Sequence, residues 1–314
     1  MATDLEYLQD RQHLSCICGS ERGWIFRRRD RYGLKFSYGL CPRCGHVRTM
    51  NPLSARAAER FYGSSDYRTM YFPKESPRDV LLRKCPKPNS VTPLMEFARV
   101  NGQMAGTVIE WGCGGGWNLV PFRDAGWNVI GYDYDVPYVQ LGRELLNLDL
   151  REIGPNQELP TPSETADLII LNHVLEHVLD PVQLLRHLRS WCTPSTVVLV
   201  GIPLLRTIKN SHWNDFFHIA HIHYFSTGSF KNCALKAGLE IINSDPKRGL
   251  FALQSREIQS PLERRTDKPA ISAISLLVGF LDLRFRGRKL VRSALKSLHL
   301  LSIAREAKRV LVRR

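Results

Sequence analysis

The sequence predicts a doubly wound α/β fold around a mostly parallel sheet of seven strands. Three observations lead to this prediction. A short β-type run at 107–110 enters a glycine-rich turn at 112–116, where the backbone bends sharply and four of the five residues are glycines without a Cβ atom. A second apolar strand follows and ends in Asp133, 21 positions after Gly112. The nearly continuous apolar run at 166–171 is typical of a central parallel strand buried on both faces.

The first predicted unit, residues 1–52, contains two cysteine pairs that bracket an Arg-rich β-hairpin at 24–38. The paired residues are Cys16, Cys18, Cys41 and Cys44. Each pair is followed by glycine, and four thiolates in two tight turns fit a closed tetrahedral zinc site that serves folding rather than catalysis. His13 or His46 is an alternative fourth ligand, and four buried free cysteines are the other alternative.

The second predicted unit, residues 53–92, is a helical and linker region. Its first part, 54–72, begins as an amphipathic helix and passes into an aromatic, Gly/Ser-rich loop. The stretch 73–90 carries four prolines and scattered charges, which is typical of a linker. The third unit, 93–256, opens with a helix at 93–100 that is expected to pack on the sheet.

Within the third unit, predicted strands and helices alternate, as they do in a doubly wound sheet. Gly126 and Gly238 end two of the helices, and Asp180 with Pro181 starts another. The segment 148–165 is predicted to be mostly loop around one short strand. The predicted helices span 117–125, 136–147, 181–191 and 226–237, and the remaining strands span 127–133, 196–202, 239–243 and 249–254.

The spacing of the glycine turn distinguishes between nucleotide ligands. A nicotinamide-binding turn has its third glycine where this chain has Trp117, which is too large for close packing of helix on strand. Instead, Glu110 stands two residues ahead of Gly112. A carboxylate there suits S-adenosylmethionine (SAM), whose amino acid end carries an ammonium group.

At these residues the sequence resembles the class I SAM-dependent methyltransferases. The segment 166–181 is similar to their fourth-strand motif, and 220–226 is similar to a late loop on their substrate side. The resemblance implies that Asp133 binds the ribose and that Asn172 and His173 face SAM. It also implies that the methionine end is bound by Glu110, Gly112, Gly114 and Gly116.

An N-terminal zinc segment followed by such a domain resembles a group that includes sugar and polysaccharide methyltransferases, among them deoxysugar C-methyltransferases. The resemblance covers roughly residues 14–255. The C-methyltransferases continue into a further domain, whereas this sequence continues into a basic segment. The expected function is therefore SAM-dependent methyl transfer to a small polar acceptor, foremost a saccharide such as a nucleotide sugar, a glycan or a lipid-linked glycan.

Methyl transfer to a hydroxyl or an acidic C–H group requires removal of a proton. His221 is the first candidate base, followed by His223 and Tyr224, in a run rich in histidine and aromatic residues at 210–224. Metal binding and hydrogen bonding to loop backbone are alternative roles for these histidines. Glu176 and His177, at the start of a helix, fit a structural role as well as a catalytic one.

The formal charge of +14 is concentrated in the tail. Residues 261–314 hold fourteen Lys/Arg and four Asp/Glu, so this segment contributes 14 − 4 = +10 and the rest contributes +4. A charge-free run of 13 residues at 269–281 is shorter than the ~20 residues of a membrane span. Basic residues interleaved with Leu and Val follow, so the predicted fourth unit, 257–314, is a basic amphipathic helical tail. It predicts peripheral membrane contact through 269–314, with packing on the enzyme body as the alternative.

The remaining bulk properties fit an ordinary globular enzyme of 314 residues with 43% apolar content. The chain opens with acidic and polar residues at 4–12, and its eight cysteines favour reduced thiols or metal over disulfides, so we expect a cytoplasmic protein near the inner membrane face. A nearly balanced catalytic body makes RNA an unexpected partner. An RNA methyltransferase and a non-catalytic SAM-binding scaffold are the alternative functions, and the oligomeric state is left open.

Overall fold

The computed structural model describes residues 6–63, 66–72, 74–87, 90–153, 165–205 and 213–255. The predicted helical tail at 257–314 and its membrane contact lie outside these residues and stay predictions. Among the described helices, none has the length and apolar character needed to cross a membrane.

The described strands form two sheets. They are β1 Trp24–Arg27, β2 Tyr38–Leu40, β3 Val47–Thr49, β4 Thr107–Trp111, β5 Asn128–Asp133, β6 Asp149–Glu152, β7 Ala166–Asn172, β8 Cys192–Gly201, β9 His223–Tyr224, β10 Leu239–Asp245 and β11 Leu250–Ser255. The larger sheet has seven strands in the order β10-β11-β8-β7-β4-β5-β6. Its pairs are parallel from β8 to β6 and antiparallel where β11 joins β8 and β10. The predicted doubly wound, mostly parallel fold is confirmed.

Helices cover both faces of the larger sheet. After a 3-10 turn at Glu6–Gln9 they are α1 Ala55–Gly63, α2 Asp66–Tyr71, α3 Pro77–Lys84, α4 Pro93–Val100, α5 Val120–Asp124, α6 Val136–Leu146, α7 Pro181–Arg189, α8 Trp213–Phe216 and α9 Thr227–Lys236. Alternate residues of β4 enter opposite halves of the core, with Ile109 in one apolar cluster and Val108 in the other. This alternation follows from the two-residue repeat of a strand. Glu110, Asp133 and Asn172 lie at or next to the carboxyl ends of β4, β5 and β7.

The smaller sheet joins the beginning of the chain to its late part. Its order is β1-β2-β3-β9, and all of its pairs are antiparallel. Val47 of β3 lies opposite Tyr224 of β9. The cysteine-bearing segment and the late loop with the candidate bases are therefore parts of one sheet.

The structure differs from the sequence prediction at 73–90, where a linker was expected. Helix α3 begins there at Pro77, and the Ser76 side chain caps it by accepting a hydrogen bond from the Asp79 amide. Proline at the first helical position costs no hydrogen bond, because that amide has no partner within a helix. Val80 and Leu81 of this helix are buried against α6.

Candidate active site and metal centre

The glycine turn after β4 has the backbone conformation that its sequence predicts. Gly112, Gly114 and Gly116 have φ values of 76°, 55° and 79°, in the left-handed region that side chains disfavour. A Cβ atom at Gly112 would collide with Val174, and one at Gly116 would lie 2.6 Å from Leu148. Both glycines are therefore required by conformation and by space.

Glu110 lies at the end of β4, beneath the glycine turn, and its side chain is fully buried. Asn118 Nδ2 donates a hydrogen bond of 2.7 Å to one carboxylate oxygen, Oε1. The other oxygen, Oε2, is buried without a hydrogen-bond partner among the described residues. Burial raises the pKa of Glu110 to about 8. A buried oxygen without a partner is costly, and an ammonium group supplies both the charge and the donor that this carboxylate lacks.

Asp133 lies at the carboxyl end of β5 and holds the turn together. Its Oδ2 accepts a hydrogen bond of 2.6 Å from the Gly114 amide, and its Oδ1 accepts one of 2.7 Å from the Asp135 amide. Burial raises the pKa of Asp133, and these backbone donors oppose the increase. Each oxygen retains a second lone pair, so the carboxylate can still accept hydrogen bonds from ribose hydroxyls.

Asn172 and His173 lie at the carboxyl end of β7. A Cβ atom at Gly201 would collide with the Asn172 side-chain oxygen, so this amide packs over the neighbouring strand. His173 has a φ of 57°, which is unusual for a residue with a side chain, and its ring is exposed. Its Nδ1 lies 3.2 Å from Oε1 of the buried Glu176, and this hydrogen bond raises the pKa of His173.

A cluster of imidazole rings lies beyond the end of β7. The rings of His218 and His221 are 3.8 Å apart between centroids, and those of His177 and His221 are 4.8 Å apart. His177 Nδ1 lies 3.0 Å from the Ala220 carbonyl oxygen, and the Tyr71 hydroxyl lies 2.9 Å from His218 Nδ1. We call the side chains of His177, His218, His221 and Glu176 the imidazole cluster.

His221 is the least engaged member of the imidazole cluster. Its Nδ1 is buried and has no hydrogen-bond partner in the part of the chain that the structure describes. Burial, together with the neighbouring His218 and His177, lowers the pKa of His221 well below its ordinary value. The ring is therefore neutral at pH 7. Potential ligand atoms of Glu176, His177 and His221 all lie within 4.8 Å of one another.

The other two candidate bases have their polar atoms bound within the protein. His223 Nδ1 lies 2.9 Å from His46 Nε2, and its Nε2 lies 3.3 Å from the Leu179 carbonyl oxygen. The Tyr224 hydroxyl donates a hydrogen bond of 3.0 Å to the His221 carbonyl oxygen. These contacts favour a structural role for His223 and Tyr224.

Helices α1 and α2 bring tyrosines to the site, and the sequence analysis did not assign these residues to it. The Tyr62 hydroxyl lies 3.2 Å from His177 Nδ1. The pKa of Tyr67 is raised by burial and by the carboxylates of Asp133 and Glu176. Tyr67 therefore lies near the glycine turn as well as near the imidazole cluster. The aromatic-rich stretch at 61–72 was the available signal, but its position over the sheet depends on contacts distant in sequence.

The four cysteines of the first unit converge. Sγ of Cys16 lies 3.4 Å from that of Cys44, and Sγ of Cys18 lies 3.6 Å from that of Cys41. A tetrahedral zinc ion with bonds of about 2.3 Å separates its sulfurs by about 3.8 Å, so the arrangement fits zinc. The alternative ligands are engaged elsewhere, because His13 pairs with Glu21 and His46 with His223.

Arg48 is buried beside this cysteine cluster. Its Nε donates a hydrogen bond of 2.9 Å to the Leu14 carbonyl oxygen, and one terminal nitrogen donates one of 3.3 Å to that of Ser20. Within the described ranges it forms no ion pair with a carboxylate. A buried cation requires a compensating charge, and four thiolates around a divalent ion carry a net charge of −2.

Solved methyltransferase structures are similar to parts of the chain at low sequence identity. The CcbJ methyltransferase from Streptomyces caelestis matches with a TM-score of 0.46 at 15% identity, over 63% of this chain and 99% of that one. Magnesium protoporphyrin IX methyltransferase from Synechocystis PCC 6803, solved with bound SAH, matches with a TM-score of 0.44 at 16% identity, over 65% and 100% of the two chains.

Two curated relatives match in sequence. A probable S-adenosylmethionine-dependent methyltransferase from Mycolicibacterium smegmatis is 33% identical over 109 residues, which is 34% of this chain and 42% of the relative. The C-methyltransferase NovU from Streptomyces niveus is 28% identical over 142 residues, 43% of this chain and 33% of the relative. The chain thus matches less than half the length of each. The family model for a methyltransferase domain matches residues 75–244, more than half of the chain, and the chain therefore belongs to this methyltransferase-domain family.

Proposed function

We propose that this methyltransferase modifies a small polar acceptor, and that the acceptor is a saccharide: a nucleotide sugar, a glycan or a lipid-linked glycan. The observation that carries the proposal is the imidazole cluster beside the tyrosines of α1 and α2. Aromatic faces pack against the C–H surfaces of a sugar ring, while neutral imidazoles and phenols exchange hydrogen bonds with its hydroxyls. The imidazole rings of this cluster have lowered pKa values and are neutral at pH 7, which suits an uncharged polar ring.

SAM supplies an activated methyl group, so the protein mainly aligns the acceptor and takes up its proton. In this proposal Glu110 pairs with the ammonium group of SAM, and the bare backbone of Gly112, Gly114 and Gly116 admits its methionine end. Asp133 accepts hydrogen bonds from the ribose. Asn172 and His173, at the carboxyl end of β7, face SAM.

His221 is the proposed proton acceptor. Its ring is neutral at pH 7, and its buried Nδ1 has no hydrogen-bond partner among the described residues, so in the Nε2–H tautomer Nδ1 has a lone pair that can accept a proton. An acceptor hydroxyl or acidic C–H group within hydrogen-bond reach of Nδ1 transfers its proton there as the methyl group arrives. Glu176 lies beside His221, and its carboxylate stabilises the imidazolium that forms.

Isotopically labelled SAM, incubated with the protein and with separate glycan, lipid and RNA fractions, tests the acceptor class. We expect label in the glycan fraction or in lipid-linked saccharide. Label that appears in RNA alone supports the RNA alternative. SAM binding without transfer to any fraction supports a non-catalytic protein.

His221→Ala tests the proposed base. We expect unchanged SAM affinity and methyl transfer slowed by ~10²-fold or more. His13→Ala is the matched control, because His13 is an exposed histidine paired with Glu21. Near-normal turnover in His221→Ala removes His221 from this role.

We also propose that Cys16, Cys18, Cys41 and Cys44 hold a structural zinc ion. Support comes from the sulfur–sulfur spacing and from the buried Arg48, which forms no ion pair with a carboxylate among the described residues. A site filled by four thiolates has no open coordination position, so the ion stabilises the fold rather than the reaction.

A further inference from the structure

The backbone around His221 is fixed from the side of the N-terminal sheet. Strand β3 pairs with β9, with Arg48 opposite His223. The next residue along β3, Thr49, is 1% exposed and donates two hydrogen bonds to the loop. Its Oγ1 donates one of 2.9 Å to the His221 carbonyl oxygen, and its amide donates one of 2.8 Å to that of Ile222.

The opposite side of the loop is fixed by the residues that follow β7. The Glu176 carbonyl oxygen accepts hydrogen bonds of 2.7 Å from the Ile222 amide and 3.1 Å from the His223 amide. The Ala220 carbonyl oxygen lies 3.0 Å from His177 Nδ1. The peptide groups around His221 are therefore bound on both sides, whereas Nδ1 of its ring stays unpaired in the described structure.

We propose that Thr49 is a positioning residue for His221, so that the cysteine-bearing segment completes the acceptor half of the active site. The inference rests on the proposed role of His221 as the base. Geometry is the reason for it, because a displacement of about 1 Å in a reacting group can cost up to ~10²-fold in rate. Without the threonine hydroxyl, the His221 carbonyl oxygen keeps one side-chain donor, the Tyr224 hydroxyl.

Strand β3, which holds the His221 loop, is also connected to the cysteine cluster. Cys44 is followed after one glycine by His46, whose ring lies 2.9 Å from that of His223. Strand β3 begins at the next residue, Val47. The turn that holds the second cysteine pair therefore leads directly into the strand that positions the loop.

Thr49→Val and Thr49→Ser test this inference. Valine keeps the shape of threonine and removes its hydroxyl, whereas serine keeps the hydroxyl. With labelled SAM and the active glycan fraction, we expect kcat of Thr49→Val to fall about tenfold or more, SAM affinity by calorimetry to stay unchanged, and Thr49→Ser to recover most of the rate.

Thr196→Val is the matched control. Thr196 is also fully buried and donates a hydrogen bond of 2.6 Å to a backbone carbonyl, that of Ala166 at the amino end of β7. Thr196 Oγ1 also accepts a hydrogen bond of 2.9 Å from the Thr193 amide, so the variant loses at least as many hydrogen bonds as Thr49→Val, at the end of β7 opposite to the imidazole cluster, and near-normal turnover is expected. If Thr196→Val slows transfer as much as Thr49→Val does, the effect is one of general stability and the inference fails.

Two further outcomes separate the inference from the proposed function. If His221→Ala is slow and folded Thr49→Val is as fast as wild type, Thr49 does not position the base. If His221→Ala itself retains turnover, the proposed base is wrong and the inference falls with it. Should Thr49→Val not fold, Tyr224→Phe removes the other donor to the same carbonyl, and an unchanged kcat there overturns the inference.

Discussion

At the scale of single residues, Glu110 shows a conflict between folding and binding. Its carboxylate is fully buried, and one oxygen has no partner in the described part of the chain. The ionised group is therefore expensive in the free protein, and burial raises its pKa to about 8. A cation that binds beside this carboxylate would supply the missing charge and hydrogen-bond donor, so the site favours a positively charged ligand group.

Replacement of this carboxylate by an amide separates its effect on stability from its effect on SAM binding. The pKa of Glu110 is raised from the model-peptide value of 4.5, so the protonated form favours the fold. Its contribution to stability is present below pH 4.5 and is lost as the pH rises toward 8. We expect Glu110→Gln to lose SAM affinity by ~10²-fold or more while its melting temperature at pH 8 is equal to or above that of wild type. A lower melting temperature at pH 8 with retained SAM binding contradicts this assignment.

SAM affinity should also depend on pH through the same group. Pairing with an ammonium requires the ionised carboxylate, so the bound pKa lies below the free value of about 8. Affinity is then expected to rise as the pH increases from 6 to 8, with release of a proton on binding at pH 7. Calorimetry in buffers of different ionisation enthalpy measures that proton. Glu110→Gln is the control, and an equal pH dependence in this variant points to another group.

At the scale of elements, strand β3 connects the cysteine cluster to the imidazole cluster. Arg48 faces the first cysteine turn through the Leu14 and Ser20 carbonyls, while Thr49 holds the histidine loop. Two consecutive residues of one strand therefore serve two sites, since successive side chains of a strand point to opposite faces.

Arg48→Met tests the charge balance of the cysteine cluster. Methionine retains apolar bulk but removes the cation that would offset the negative charge of the proposed zinc–thiolate centre. We expect zinc release to a chelator to become about tenfold faster or more, as seen when residues supporting metal ligands are changed. Arg43→Met is the control, because Arg43 lies between the second cysteine pair and is exposed. Equal release rates in the two variants would show that Arg48 does not compensate the centre.

Sequence reasoning predicted the geometry that has local determinants. The sharp turn at Gly112, Gly114 and Gly116 follows from the glycines themselves and is present in the structure, whereas the binding roles of these glycines, Glu110 and Asp133 stay predictions. Helix α3 was missed, since its prolines resemble those of a linker unless Ser76 is read as a cap. The roles of Thr49 and Tyr67 were not predictable, because their contacts lie across more than 60 residues of sequence.

At the scale of the whole molecule, the two sheets meet in the loop that carries His221. The residues proposed to bind SAM belong to the seven-stranded sheet, and the loop proposed to bind the acceptor also contacts β3 of the smaller sheet. The two halves of the reaction therefore depend on different parts of the chain.

Removal of the proposed zinc ion should affect methyl transfer more strongly than SAM binding. After chelation of the zinc, we expect SAM affinity to stay within about threefold of the untreated value, because Glu110 and the glycine turn lie in the larger sheet. Transfer to the glycan fraction should fall by ~10-fold or more as β3 loses its order. Calorimetry and labelled transfer measure the two quantities, and restored transfer on zinc addition excludes irreversible damage. Parallel loss of both quantities would mean that the cluster supports the entire fold.

The order β1-β2-β3-β9 also constrains how the protein is made. His46 and its partner His223 are separated by 177 residues, so a growing chain exposes the outer edge of β3 until nearly all of the catalytic domain has been synthesised. Unpaired edges of this kind promote association with other chains. Early capture of metal by the cysteines would hold the nascent hairpin in shape during that interval, and truncation ahead of residue 223 should leave an aggregation-prone product.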